Sequence, residues 1–266
     1  MTRPKVILDV DTGTDDAVAV MLAGLSDDIE LIGCTTVWGN SPVEHTTDNT
    51  LRVLDHIGRT DVPVFKGLGK PYGPGRHLAS QDETVQRMHP PKLALPDPTR
   101  RETHGRAVEW LIDTIKSSSE PVTLVPVAPL TNIAAAITLD PTIVDNVAEI
   151  VIMGGAHDFG NVTASAEANI WHDPVAADIV FRAGFRRLIL VPLDATHKAL
   201  VTSEQTAQLR SHGTPAAVAA ADFIDLRITA HTIDQPQLVP NSAAVHDPLC
   251  IAYLIDPSVI KLTHCH

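Results

Sequence analysis

Apolar residues along this chain fall into two alternating patterns, short unbroken runs and longer runs at helical spacing. Val6, Ile7 and Leu8 form a run of the first kind; Ala17, Val18, Val20, Met21, Leu22 and Leu25 recur along one face of a helix. The alternation then continues, predicting strands over 29–38, 62–66, 122–128, 148–153, 188–193 and 259–262. Between them fall predicted helices to about residue 57, over 106–116, 130–139, 173–184, 203–211 and 215–232, and a short one from 248. Strands that are apolar on both faces and separated by helices predict an α/β fold. The expected form is an open, mainly parallel sheet with helices on both faces and a Rossmann-like core.

Punctuation supports these boundaries. Ser41-Pro42-Val43-Glu44 reads as N-cap, proline at N1 and a capping-box glutamate. Asp173-Pro174 opens a helix that Gly184 stops, and Asp140-Pro141 closes another. Residues 67–104 break the pattern with Gly, Pro, His and charge and no sustained period, which predicts a loop or lid over one face. With no repeat or linker in view, residues 1–266 read as one domain.

Composition narrows the function classes. A net charge of −12 with no cluster of Lys or Arg argues against a nucleic-acid surface. Cys34, Cys250 and Cys265 lack CxxC spacing, which fits a reducing compartment. No stretch approaches the length of a membrane span, and the first strand begins too early to leave room for a signal peptide. The expectation is a soluble cytoplasmic protein.

The chemistry concentrates after the first strand, where Asp9, Asp11, Asp15 and Asp16 surround Thr12-Gly13-Thr14. Aspartate at a helix start is ordinary capping, and that accounts for one or two of the four. Four carboxylates so close would repel strongly unless neutralised, and oxygen ligands of this kind favour calcium or magnesium. In a parallel sheet Asn40, the Val127 carbonyl, Asn161, Glu167 and Asn169 also follow strand ends, so they gather on the same rim. His246 and Asp247 join them at a helix start. No activated nucleophile and no glycine-rich phosphate motif is present. Carboxylates and amides suit a polyhydroxyl ligand, whose hydroxyls both donate and accept. The residues alone reach metal-assisted hydrolysis of a sugar derivative.

At that point DVDTGTDDA (9–17), WGN (38–40), PLTN (129–132), GNVTASAEANIWHDP (160–174) and HDP (246–248) resemble the inosine–uridine-preferring nucleoside hydrolases, from the first strand to about residue 257. The resemblance implies cleavage of the N-glycosidic bond of purine or pyrimidine ribonucleosides to ribose and free base, in a homodimer or homotetramer serving nucleoside salvage. It implies Ca2+ held by Asp11, Asp16, the Val127 carbonyl and Asp247, with Asp9 behind them. Asp15, Asn40, Asn161, Glu167, Asn169 and Asp247 would bind the ribose hydroxyls. Asp11 would deprotonate the calcium-bound water, and His246 would assist departure of the base.

Three departures stand out. Ala168 replaces an aromatic residue common in the family, which would leave one pocket wall open. His89 falls where pyrimidine-preferring members use a loop histidine, but Met88 and Pro90 do not match, so a surface histidine is the competing reading. The chain also ends sooner than is usual in the family, short of a C-terminal strand and helix. Two other functions compete. Asp9-Val10-Asp11 resembles the nucleophile motif of haloacid-dehalogenase-type, magnesium-dependent phosphatases, although Thr12-Gly13 departs from it. A degenerate hydrolase would bind calcium and ribosides without turnover.

Overall fold

Six strands lie side by side: β1 (Lys5–Val10), β2 (Glu30–Thr36), β3 (Val64–Lys66), β4 (Val122–Pro126), β5 (Val147–Met153) and β6 (Leu188–Val191). Their order is β3-β2-β1-β4-β5-β6, and every pairing is parallel. The computed structural model describes residues 3–73, 83–234 and 237–265.

Alternation along β1 explains the layers. Val6, Leu8 and Val10 point into one apolar core and Ile7 into the other. The first core is covered by α1 (Thr14–Leu25), α2 (Val43–His56), α10 (Pro215–Asp234) and α11 (Pro248–Ile255). The second lies under α4 (Ala107–Ser117), α5 (Thr131–Leu139) and α7 (Pro174–Phe181). The open parallel sheet with helices on both faces is therefore present as expected. From β1 the chain runs outward to β2 and β3, then returns to build β4, β5 and β6 on the other side. That reversal opens a crevice beyond the carboxyl ends of β1 and β4, the usual ligand position in such sheets.

Several local expectations are corrected. Pro42, not Ser41, is the N-cap of α2, and no side-chain cap bond forms. Residues 259–262 make no strand: a 3-10 turn at Pro257–Val259 leads into irregular chain without a neighbouring edge. An antiparallel pair, β7 (Leu200–Thr202) with β8 (Ser242–Ala244), escapes three-residue periodicity. So do α6 (Ala168–His172) and α8 (Leu193–Thr196), a single turn or little more each.

Within 67–104, residues 74–82 lie outside the described residues; the rest includes α3 (Glu83–Met88) and is anchored to α2. Asn49 donates to the Thr12 and Pro91 carbonyls and accepts from Leu93 N–H. The buried Arg52 guanidinium bonds Asp48, Asp97 and the Leu95 carbonyl.

Candidate active site

The turn after β1 is built by its own aspartates. Asp16 accepts from Asp11 N–H at 3.1 Å and from Gly13 N–H at 3.0 Å, closing the first turn of α1. Capping is thus part of the role of Asp16, as the structural reading of helix-start aspartates anticipates. Asp11 in turn accepts from Asn40 N–H at 2.6 Å, which locks the end of β1 to the loop after β2. The closeness of that junction demands glycine: a Cβ on Gly39 would fall 2.0 Å from Asp11 Oδ2. Asp9 sits behind, its Oδ1 accepting from Thr35 at 2.6 Å and from Asn132 Nδ2 at 2.8 Å, while its buried Oδ2 has no partner.

From the β5 side, Glu167 caps α6. Its carboxylate accepts from the N–H groups of Asn169, Ile170 and Gly155. Asn169 donates to the Val127 and Met153 carbonyls, and Asn161 Oδ1 accepts from Ala168 N–H. His246 Nδ1 lies 2.7 Å from the buried Thr196 hydroxyl. Asp247 opens α11, with Pro248 at N1 as predicted.

These groups line one cavity of about 550 Å³: Asp11, Asp15, Asn40, Val127, Asn161, Glu167, Asn169, His246 and Asp247, together with His89. Asp16 and Asp9 stand behind the lining. Two expectations change here. His89 is buried and lines the cavity, so it is not a surface histidine. The wall left thin by Ala168 is shared by Trp171 and His172 one turn along α6.

The electrostatics are lopsided. Burial pushes Asp9 up to about 7. Burial and then repulsion from Asp15 push Asp16 up to about 7. Burial, reinforced by neighbouring carboxylates, also raises Asp11 and Asp247 well above the usual range. Asp15 is the exception: burial would raise it, but the Arg227 guanidinium 3.0 Å away, together with His89, His246 and a backbone hydrogen bond, lowers it to about 2. Burial lowers His89 to about 4 and His246 well below its ordinary value.

A cluster of buried carboxylates that raise one another, with an orphaned oxygen on Asp9, fits a hard divalent cation. Asp15, Asp16 and His89 each place a ligand atom within 4.8 Å of the others at this rim. The Val127 carbonyl is engaged by Asn169 and keeps its second lone pair.

A family model described as inosine-uridine preferring nucleoside hydrolase matches residues 6–266. The chain belongs to that family. It is 42% identical over 259 residues to the pyrimidine-specific ribonucleoside hydrolase RihA of Shewanella woodyi, covering 97% of this chain and 81% of that one. It is 38% identical to RihA of Escherichia coli over 96% of this chain and 80% of its relative. Among solved structures it resembles a purine-preferring ribonucleoside hydrolase from Gardnerella vaginalis, with a TM-score of 0.89 and 37% identity over 97% of this chain and 81% of that one. The family is one of metal-dependent hydrolases, and this nucleoside hydrolase brings the required acidic groups together. Neither the phosphatase nor the degenerate binder is favoured by these relatives.

Four further residues shape this hydrolase site. Asn132, quoted above only within PLTN, bonds Asp9, the Thr36 carbonyl and Leu68 N–H, so it joins β1, β2 and the following loop. Asp173 caps α7 through Ala176 N–H and also holds Thr131 and Tyr72 N–H. Arg227 reaches the cavity from α10 and Thr196, on α8, stands behind it against His246; periodicity does not reveal the side-chain direction of either element. The HDP stretch marked His246, but nothing in it names Thr196, fifty residues earlier.

Proposed function

We propose that the cavity hydrolyses pyrimidine ribonucleosides, uridine and cytidine, to ribose and the free base. What carries this reading is the meeting of Asp11, Asp15, Asn40, Asn161, Glu167, Asn169, His246 and Asp247 around one cavity at the switch point of the sheet. The base preference follows the relatives at 38–42% identity, which are named pyrimidine-specific, and the burial of His89 in the cavity.

Asp11, Asp16, Asp247 and the Val127 carbonyl would hold a calcium ion. When bound, the ion neutralises the carboxylate cluster and acidifies a water for attack. Asp11 accepts the proton of the attacking water. Asp15, Asn40, Asn161, Glu167, Asn169 and Asp247 bind the ribose hydroxyls. The Glu167 carboxylate, fixed by three backbone N–H groups, cannot swing away as charge develops on the sugar. Such preorganised carboxylates favour an oxocarbenium-like state over the neutral ground state.

His246 serves the leaving base. Its ring is neutral near pH 7, so it acts as a hydrogen-bond donor from Nε2 when the Thr196 hydroxyl donates to Nδ1. A hydrogen bond of this kind stabilises the negative charge that develops on the departing base.

Residues 1–266 would act as one hydrolase domain, in a cytoplasmic homo-oligomer serving nucleoside salvage. The free thiols suit a reducing compartment, and no helix among the described residues is long and apolar enough to cross a membrane. Incubation with a panel of uridine, cytidine, inosine, adenosine and a phosphomonoester, read as reducing sugar and as inorganic phosphate, tests the reading. Sugar release from uridine and cytidine is expected. Phosphate release alone, or tight riboside binding without turnover, would replace it with one of the alternatives.

A further inference from the structure

Arg227 is a fully buried guanidinium on α10 that the reaction described above does not use. It joins three segments at the mouth of the ribose pocket. Nε donates to the Ala244 carbonyl of β8 at 3.1 Å. Nη1 lies 3.0 Å from Asp15 Oδ1, 3.4 Å from the Thr14 hydroxyl and 3.3 Å from His89 Nε2. A guanidinium can only donate, so His89 Nε2 must accept, which places the imidazole proton on Nδ1.

That proton faces Asp15. His89 Nδ1 and Asp15 Oδ1 are 3.6 Å apart, too far for a hydrogen bond, and neither buried atom has a hydrogen-bond partner. One is an N–H donor and the other a carboxylate acceptor. A hydroxyl oxygen reaching both would accept from His89 and donate to Asp15, the complement that an alcohol offers and an alkyl C–H does not. Gly13 leaves space for the imidazole ring itself: a Cβ there would lie 1.9 Å from His89 Nδ1. Arg227 also offsets the repulsion that Asp11 and Asp16 exert on Asp15, which would otherwise drive its carboxylate outward.

We propose that Arg227 is a positioning residue that sets Asp15 and His89 as a donor–acceptor pair reading one hydroxyl of the sugar. The inference rests on the riboside-hydrolase reading of the same cavity. It assigns sugar discrimination to a residue on α10 and gives His89 a sugar-facing role beside any contact with the base.

The test compares kcat and KM for uridine, 2′-deoxyuridine and 3′-deoxyuridine in the wild-type protein, Arg227→Met, Arg227→Lys, His89→Ala and the Arg227→Met/His89→Ala pair, with thermal unfolding as a check on folding. Arg227→Met is expected to lower the preference for ribose over one of the deoxy sugars by about tenfold, the loss of one hydrogen bond to a charged partner, mainly through KM. Arg227→Lys should recover part of that preference. His89→Ala, which leaves the guanidinium in place, should lower the same ratio, and the double variant should lose no more than Arg227→Met alone. An unchanged ratio in His89→Ala, or losses that multiply in the double variant, would overturn the proposal; should Arg227→Met not fold, His89→Ala and Arg227→Lys decide it. Wild-type protein that cleaves no ribonucleoside would instead overturn the reading beneath it.

Discussion

Gly39→Ala adds one methyl group at the junction that fixes Asp11. The new Cβ would sit 2.0 Å from Asp11 Oδ2, 2.8 Å from its Cγ and 3.0 Å from Pro129 Cδ, whereas ordinary contact begins near 3.4 Å. Restoring contact with Oδ2 requires about 3.4 − 2.0 = 1.4 Å of movement. Asp11 is buried and its neighbours leave little slack, so the carboxylate or the 38–40 loop must shift and weaken the 2.6 Å bond from Asn40 N–H. Misplacing a reacting group by about 1 Å costs on the order of 10²-fold in rate. Steady-state hydrolysis of uridine should therefore fall by about 10²-fold in kcat. Circular dichroism and thermal unfolding establish that the variant folds. Wild-type kcat in a folded Gly39→Ala protein would refute the placement of Asp11 at the reacting centre.

Removal of the ribose 2′-hydroxyl should reduce kcat/KM by at least 10²-fold, because buried polar groups lose their partner; equal rates on uridine and 2′-deoxyuridine would contradict this. Thr196→Val should slow cytidine, a poor leaving group, more than an activated riboside such as the 4-nitrophenyl glycoside, and Thr196→Ser should restore cytidine turnover. A uniform loss would mean that Thr196 does not act through His246. Asp9 titrates near 7 in the fold against 3.8 when unfolded, so its contribution to stability is full below about pH 4 and lost as pH rises through 7. In protein treated with a chelator, Asp9→Asn should raise the Tm at pH 8, by no more than about 4 kcal/mol of stability, and leave it unchanged at pH 4. A gain of equal size at both pH values would refute the buried-charge account.

The sheet was legible because its central strands are near-continuous apolar runs and helices such as α4 carry an apolar stripe. Val6-Ile7-Leu8 and Ala148–Met153 could hardly be anything but buried parallel strands, and the acidic turn had to fall at their carboxyl edge. Elements of three to five residues, β7, β8, α6 and α8, were not legible, since so few positions hold no period. Within the site, residues whose backbone follows a strand or opens a helix, from Asp11 to Asp247, meet at one cavity as strand-end placement expects. Arg227 and Thr196 were not legible, because they act through side chains crossing from elements far along the chain. His89 shows the limit most clearly: its neighbours in sequence point to a surface loop, while Gly13 and Arg227 draw its ring into the cavity.

The central claim, that carboxylates on this rim hold a cation which enables riboside cleavage, is met most directly by measuring ribose release from uridine before chelation, after it, and after returning calcium. Activity should vanish with the metal and come back with calcium, and fail to come back in Asp16→Asn. Undiminished ribose release from thoroughly chelated protein would contradict the account.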